Sequence, residues 1–230
     1  SAGTPVVSTV ADPSSGTSLS FLGIEASADQ SHTAVEWLAG SKSIVRDIMV
    51  DLSPRAGGKA KRKYAAATRS ETYRISGGGR WYAVAAPWNK MRIISRSPHY
   101  RHLRVEGTTQ PLAIYGLNVE RSLSQPQAEI RDAQNVRIFY LKSETLENAH
   151  HVVLSIVNSR KIGVFGYSGI ATPLGNDVVS VRDSDDLLFA NLTPLRPDSR
   201  FSLLSETRDG QTSKVGGERS LVLYRRHLSK

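Results

Sequence analysis

The sequence predicts an all-β chain wound as a right-handed parallel β-helix, a solenoid with coils of about 25 residues. Three observations carry this. First, apolar anchors recur. Ile130, Ile156 and Val181 stand 26 and 25 residues apart, as do Val136, Ile162 and Leu187, and again Leu141, Tyr167 and Leu192. Second, between the first two anchors of each set lies Asp or Asn followed by Ala or Ser, at 132–133, 158–159 and 183–184. Asp and Asn bond their own backbone and tolerate left-handed angles, so this step reads as a tight corner. Third, the segments beside the corner are short and alternate apolar with polar residues, which is the period of a strand. The hairpin dipeptides Asn-Gly and Asp-Gly are nearly missing, Asp209-Gly210 being the single one. A coil of this length leaves apolar side chains that only its neighbours can bury. The leucine and asparagine ladder of a leucine-rich repeat is not present, and a propeller blade needs about 40 residues.

The elements follow in chain order. Residues 1–18 are small and polar, with neither an amphipathic cap helix nor the basic start and apolar middle of a secretion leader. Uncapped solenoid ends expose strand edges, so further coils before Ser1, or a partner chain, are expected there. Leu22 and Ile24 match Ile48 and Val50 26 residues on, which places the first coils at 19–52. Residues 53–97 break the period and read as a long basic insertion, with glycines, a basic run and the tryptophans Trp81 and Trp88. Coils resume over 103–193, where Val105, Leu112 and Leu117 continue the columns if the turn gains one residue. Residues 200–230 leave the period and read as a closing segment with a hairpin at Asp209-Gly210. The whole of 1–230 is expected to be one β-helix domain cut from a longer chain.

Composition narrows the chemistry. There is no cysteine, which excludes disulfides, thiolate metal sites and cysteine nucleophiles. No run approaches the roughly 18 apolar residues of a membrane-spanning helix. The net charge is +9, and two thirds of it lies between Ser53 and Arg74, where seven basic residues face Glu71 alone. The basic run Gly58–Lys63 lacks interleaved aromatics and any recognised nucleic-acid fold, so an acidic polysaccharide explains the charge better than nucleic acid does.

The residue columns over 19–52 and 103–193, just over half the chain, resemble the pectate-lyase-like superfamily of single-stranded right-handed β-helices. The resemblance is at the level of the fold. It implies a secreted or cell-envelope protein that acts on polysaccharide as a lyase or hydrolase, or a non-catalytic adhesin, tail-fibre-like or carbohydrate-binding module, and the fold alone does not choose. The paired aspartates and downstream His-Gly of polygalacturonase-type hydrolases are not here. The acidic stretch Arg182–Asp186 falls on the corner template instead.

Stacking the coils defines a candidate site. If Leu117 lies under Leu141, then Asn118 lies under Lys142 and Glu120 under Glu144. Neighbouring coils are about 4.8 Å apart, and a carboxylate pair at roughly 5 Å is the separation used by retaining glycosidases. Glu120 and Glu144 are therefore the catalytic candidates, with Arg121, Lys142 and Asn118 placed to hold an anionic substrate. The same residues would also make a solvated ion-pair network. Tyr115, Trp81 and Trp88 are candidate sugar platforms, since sugar rings stack on aromatic faces. Packing of Trp81 under the insertion is the plainer alternative. His99 and His102 could line a groove. No cofactor is implied: no zinc motif is present, and calcium on aspartates stays open without a loop motif to support it.

Overall fold

The computed structural model describes residues 4–25, 33–51, 71–84, 99–120, 124–144, 152–170, 177–194, 203–215 and 220–227. The protein is a right-handed parallel β-helix without a helix among these residues. Strands are numbered along the chain, and they alternate between two sheets. One sheet, here sheet A, takes β1 (Val7–Ser8), β3 (Val35–Trp37), β5 (Glu71–Ile75), β7 (Arg101–Glu106), β9 (Ala128–Arg131), β11 (Leu154–Val157), β13 (Val179–Arg182) and β15 (Leu204–Arg208), in that order. Sheet B takes β2 (Ser18–Glu25), β4 (Ile44–Asp51), β6 (Gly79–Val84), β8 (Leu112–Asn118), β10 (Gln134–Glu144), β12 (Arg160–Ile170) and β14 (Asp185–Leu192). Strict odd–even alternation with parallel pairing is what a solenoid requires.

The pairing is the one that the apolar anchors predict. Val136 pairs with Ile162 and Ile162 with Leu187, while Ile130 pairs with Ile156 and Ile156 with Val181. Leu22 and Ile24 face Ile48 and Val50. Inward residues then form continuous buried columns. Trp81, Ile114, Ile138, Val164 and Phe189 make one, and Val84, Leu117, Leu141, Tyr167 and Leu192 another. Burying such columns at about 25 cal/mol per Å² of apolar area is the main stabilisation of the helix.

The coil changes direction at residues with left-handed backbones. Asp132, Asn158 and Asp183 have φ of 50°, 47° and 46°. These are the residue types that bear such angles at least cost. Asn158 Nδ2 donates to Asp132 Oδ1 at 2.5 Å, tying two corners together. Just inside, the buried Ser159 and Ser184 replace missing ladder bonds: Ser159 Oγ accepts from Ala133 N at 3.1 Å, and Ser184 Oγ from Ser159 N at 3.0 Å. A further column bends sheet B in mid-strand. It holds Phe21, Asp47, Ala83, Gly116, Tyr140, Gly166 and Asn191, all with positive φ. An L-residue in this conformation costs roughly 1–2 kcal/mol. Tyr140→Gly, which relieves this in a half-exposed residue, is expected to raise the thermal midpoint, as a calorimetric scan would read.

Two of the expected segments gain detail. Within the expected insertion at 53–97, residues 71–84 form β5 and β6, paired in register with the coils on both sides. The basic run lies outside the described residues. At the C-terminal end, β15 pairs antiparallel with β16 (Gln211–Val215) through Asp209 and Gly210, and β17 (Leu221–Arg226) closes sheet B antiparallel to β14. Here the inward column that runs through Val181 arrives at Glu206. Its carboxylate accepts from Tyr224 Oη at 2.8 Å and Arg208 Nε at 3.0 Å, and Arg226 stands at 3.4 Å.

Candidate functional site

The register at the expected site is as the stacking requires, with Leu117 opposite Leu141 and Asn118 opposite Lys142. Asn118 Oδ1 accepts from Glu120 N at 3.1 Å, and Val119 N donates to Lys142 O at 3.0 Å, so the chain leaving β8 is held against β10. Glu120 is buried, at 8% exposure, and its carboxylate lies 3.3 Å from Lys142 Nζ. Glu144 ends β10 with its backbone opposite Ile170. Its side chain, like Arg121 and Trp88, lies outside the described residues. The described part of the constellation is therefore an ion pair, Glu120–Lys142, with Asn118 shaping the turn. Glu120→Gln is expected to cost about 1–2 kcal/mol, the scale of a charge-assisted hydrogen bond, read from the urea midpoint.

His102 lies behind this turn and does not line a groove. It is 1% exposed, and its Nδ1 is 2.9 Å from Tyr100 Oη, which in turn is 2.6 Å from Thr72 Oγ1. Burial pushes its pKa down to about 3, against the pull of the Glu120 carbonyl. A neutral imidazole in a buried hydroxyl chain is a packing element here, with no route to a ligand in the described structure.

The aromatic expectations need two corrections. Trp81 is 1% exposed and packs edge-on against Trp37 at 5.4 Å and Tyr73 at 5.9 Å. It faces the core because strand alternation points it there, so no sugar can reach it. Tyr115 does face outward, yet both its ring faces are covered. Tyr82 stacks on one and Phe139 on the other, each at 4.9 Å with planes 8° apart, and Phe165 continues the stack at 5.1 Å from Phe139. Tyr115 and Phe139, covered on both faces, are therefore not open platforms.

Beside this ladder the outer face of sheet B carries a groove of about 1010 Å³. Its floor is one outward column read along the helix axis: Arg80, Ala113, Arg137, Gly163 and Leu188. Phe139 and Phe165 form one wall, and Lys42, Pro111, Asn135, Lys161 and Asp186 the other. Gly163 belongs to the design of the floor: a Cβ there would come within 2.7 Å of the Phe165 ring. Four cations line the groove against the single carboxylate of Asp186. Among the described residues, none of Lys42, Arg80, Arg137 and Lys161 takes part in an ion pair.

The outer face of sheet A differs in this respect. There Arg104 reaches Glu71 at 2.8 Å and Glu129 at 3.3 Å, Arg131 reaches Glu129 at 2.8 Å, and Arg74 reaches Glu71 at 3.3 Å. Burial pulls the Arg101 pKa down, while the hydrogen bond to Glu129 raises that of Arg131. These arginines, unlike the groove cations, are each held by a carboxylate.

None of the groove cations was a sequence candidate. The two floor arginines, Arg80 and Arg137, each stand one residue before an inward anchor, Trp81 and Ile138, and that becomes visible only once the register is known. Among the described residues no three His, Asp or Glu side chains converge as a metal site, and no helix is long and apolar enough to cross a membrane. No protein-family profile, no curated protein and no solved structure matches the chain.

Proposed function

We propose that this chain is a carbohydrate-binding β-helix, built on coils of the pectate-lyase-like pattern, that holds a glycan lengthwise along the outer face of sheet B without cleaving it. The observation that carries the reading is the groove that crosses successive rungs of one sheet. Rungs repeat about every 4.8 Å along the axis, a step close to one pyranose ring in an extended chain. A polymer of rings can therefore meet the same kind of contact at each coil. Polar and charged side chains around an apolar wall suit a ligand with hydroxyls on its rim and C–H groups on its faces. Such a ligand belongs outside the cell or in its envelope.

The enzymatic alternative uses Glu120 and Glu144 as the acid/base pair of a hydrolase or lyase. Glu120 is buried and paired with Lys142, and it does not line the groove. The non-catalytic reading is the better supported for that reason.

The test is affinity electrophoresis through gels carrying a panel of neutral and acidic glycans, with reducing-end and ultraviolet unsaturation assays on the same mixtures. Retardation by at least one glycan, with no new ends, is the expected result. Ala113→Trp, which fills the groove floor, is expected to abolish retardation while the melting curve stays in place. New reducing ends or unsaturated products that disappear in Glu120→Gln would overturn the non-catalytic reading. Unchanged retardation in Ala113→Trp would overturn the groove.

A further inference from the structure

We infer that the groove selects an acidic polysaccharide carrying one anionic group on every second sugar. This rests on the preceding reading that the groove holds a glycan. Over its first four rungs the floor column alternates in kind. Arg80 and Arg137 stand two rungs apart, and the rungs between and beyond them carry Ala113 and Gly163. Two rungs are about 9.6 Å at the strand spacing of a sheet, and two rings of an extended glycan span a similar length. An anion over Arg80 would place the next-but-one ring over Arg137. The ring between them would lie over Ala113, which offers a methyl group and no charge.

The alternation works against a uniformly charged chain as well as for an alternating one. An anionic group over Ala113 would lose water without gaining a cation, which is unfavourable. Lys42 and Lys161 stand on the wall at either end of this stretch, where flexible ammonium groups can hold a chain that enters or leaves the floor. Arginine on the floor suits carboxylate or sulfate, both of which accept its paired N–H donors. A single-stranded nucleic acid would also be drawn to four cations. Its usual holding device is base stacking on open aromatic faces, and the faces of Tyr115 and Phe139 are closed by their neighbours.

The experiment compares four probes by calorimetry in low salt: hyaluronan fragments with a carboxylate on alternate sugars, polygalacturonate fragments with one on each sugar, neutral cello-oligosaccharides, and a single-stranded oligonucleotide. Unsulfated chondroitin fragments, with a carboxylate on alternate sugars, are a second alternating chain, and sulfated ones, which add a sulfate on the sugars between, are a second uniformly charged chain. The expected order places alternating chains first, uniformly charged chains second and neutral chains last. Arg80→Gln and Arg137→Gln, both exposed, should each weaken the alternating chain about ten-fold, the scale of one charge-assisted hydrogen bond, with the neutral chain unaffected. Ala113→Arg should move the preference toward polygalacturonate. Equal affinity for neutral and alternating chains would overturn the charge pattern and leave glycan binding standing. Binding of the oligonucleotide above every glycan, or of no glycan at all, would overturn both.

Discussion

Acidification from pH 7 toward pH 4 is expected to destabilise the fold, with His102 as a contributor. Its imidazole is 1% exposed and burial lowers its pKa from 6.5 to about 3. The unfolded chain therefore binds a proton below about pH 6.5 that the native protein refuses. Stability from this group is complete above the unfolded value and is lost as pH falls from about 6.5 toward about 3. Within that window the loss is on the order of 1.4 kcal/mol per pH unit. The geometry adds a reason. Burial raises the Tyr100 pKa, so its hydroxyl keeps its proton, and that hydroxyl touches His102 Nδ1. An imidazolium donates at both nitrogens, so this hydroxyl would have to turn its proton toward Thr72 Oγ1 to accept. Carboxylates titrate in the same range, so the contribution is isolated by comparison with His102→Gln. The variant should be less stable at pH 8 yet show a shallower decline between pH 6.5 and pH 4.5 in urea midpoints. Parallel curves for the two proteins would show that His102 is not the acid-sensitive group.

Trp81→Ala is expected to cost about 3–5 kcal/mol, the range for deleting a large buried aromatic. The indole fills the inward column of sheet B and meets Trp37 and Tyr73 edge-on, at interplanar angles of 81° and 83°. Edge-to-face pairs add to simple burial, so the loss should fall in the upper part of that range. A conservative pair of variants gives a sharper check. Trp37 Nε1 donates to Gly78 O at 2.9 Å, whereas the buried Trp81 Nε1 has no acceptor among the described residues. Trp37→Phe should therefore cost about 1–2 kcal/mol more than Trp81→Phe. Equal losses in guanidinium unfolding would contradict this assignment of roles.

The fold was legible where inward residues recur at nearly constant spacing. Ile138, Val164 and Phe189 are 26 and 25 residues apart, and the column can be read directly. One coil upstream the intervals become 36 from Val45 to Trp81 and 33 from Trp81 to Ile114. Longer connections there hid β5 and β6, and with them Arg80. The corner at Asp132, Asn158 and Asp183 was legible because its backbone angle selects residue type. The mid-strand bend was not, since Phe21, Ala83 and Tyr140 occupy it beside glycines. Stacking on adjacent coils imposes that angle whatever the residue. The candidate site was legible in register but not in environment. Sequence could align Asn118 with Lys142, yet it could not say that Glu120 would be buried against that lysine. It identified Tyr115 as an outward aromatic and had no means of knowing that its faces were already taken.

Glu206 bears on how such a protein could be lengthened. A coil grafted beyond β15 would stack on a carboxylate, and it would displace Tyr224 and the arginines that make that carboxylate tolerable inside. A coil duplicated between Ala128 and Leu192 would meet apolar inward columns and matching Asp or Asn corners. The molecule thus has a grammar for growth: internal copies extend the sentence, and Glu206 is its full stop. Adding coils there would also lengthen the groove floor, turning a change in repeat number into a change in the length of polymer that can be held.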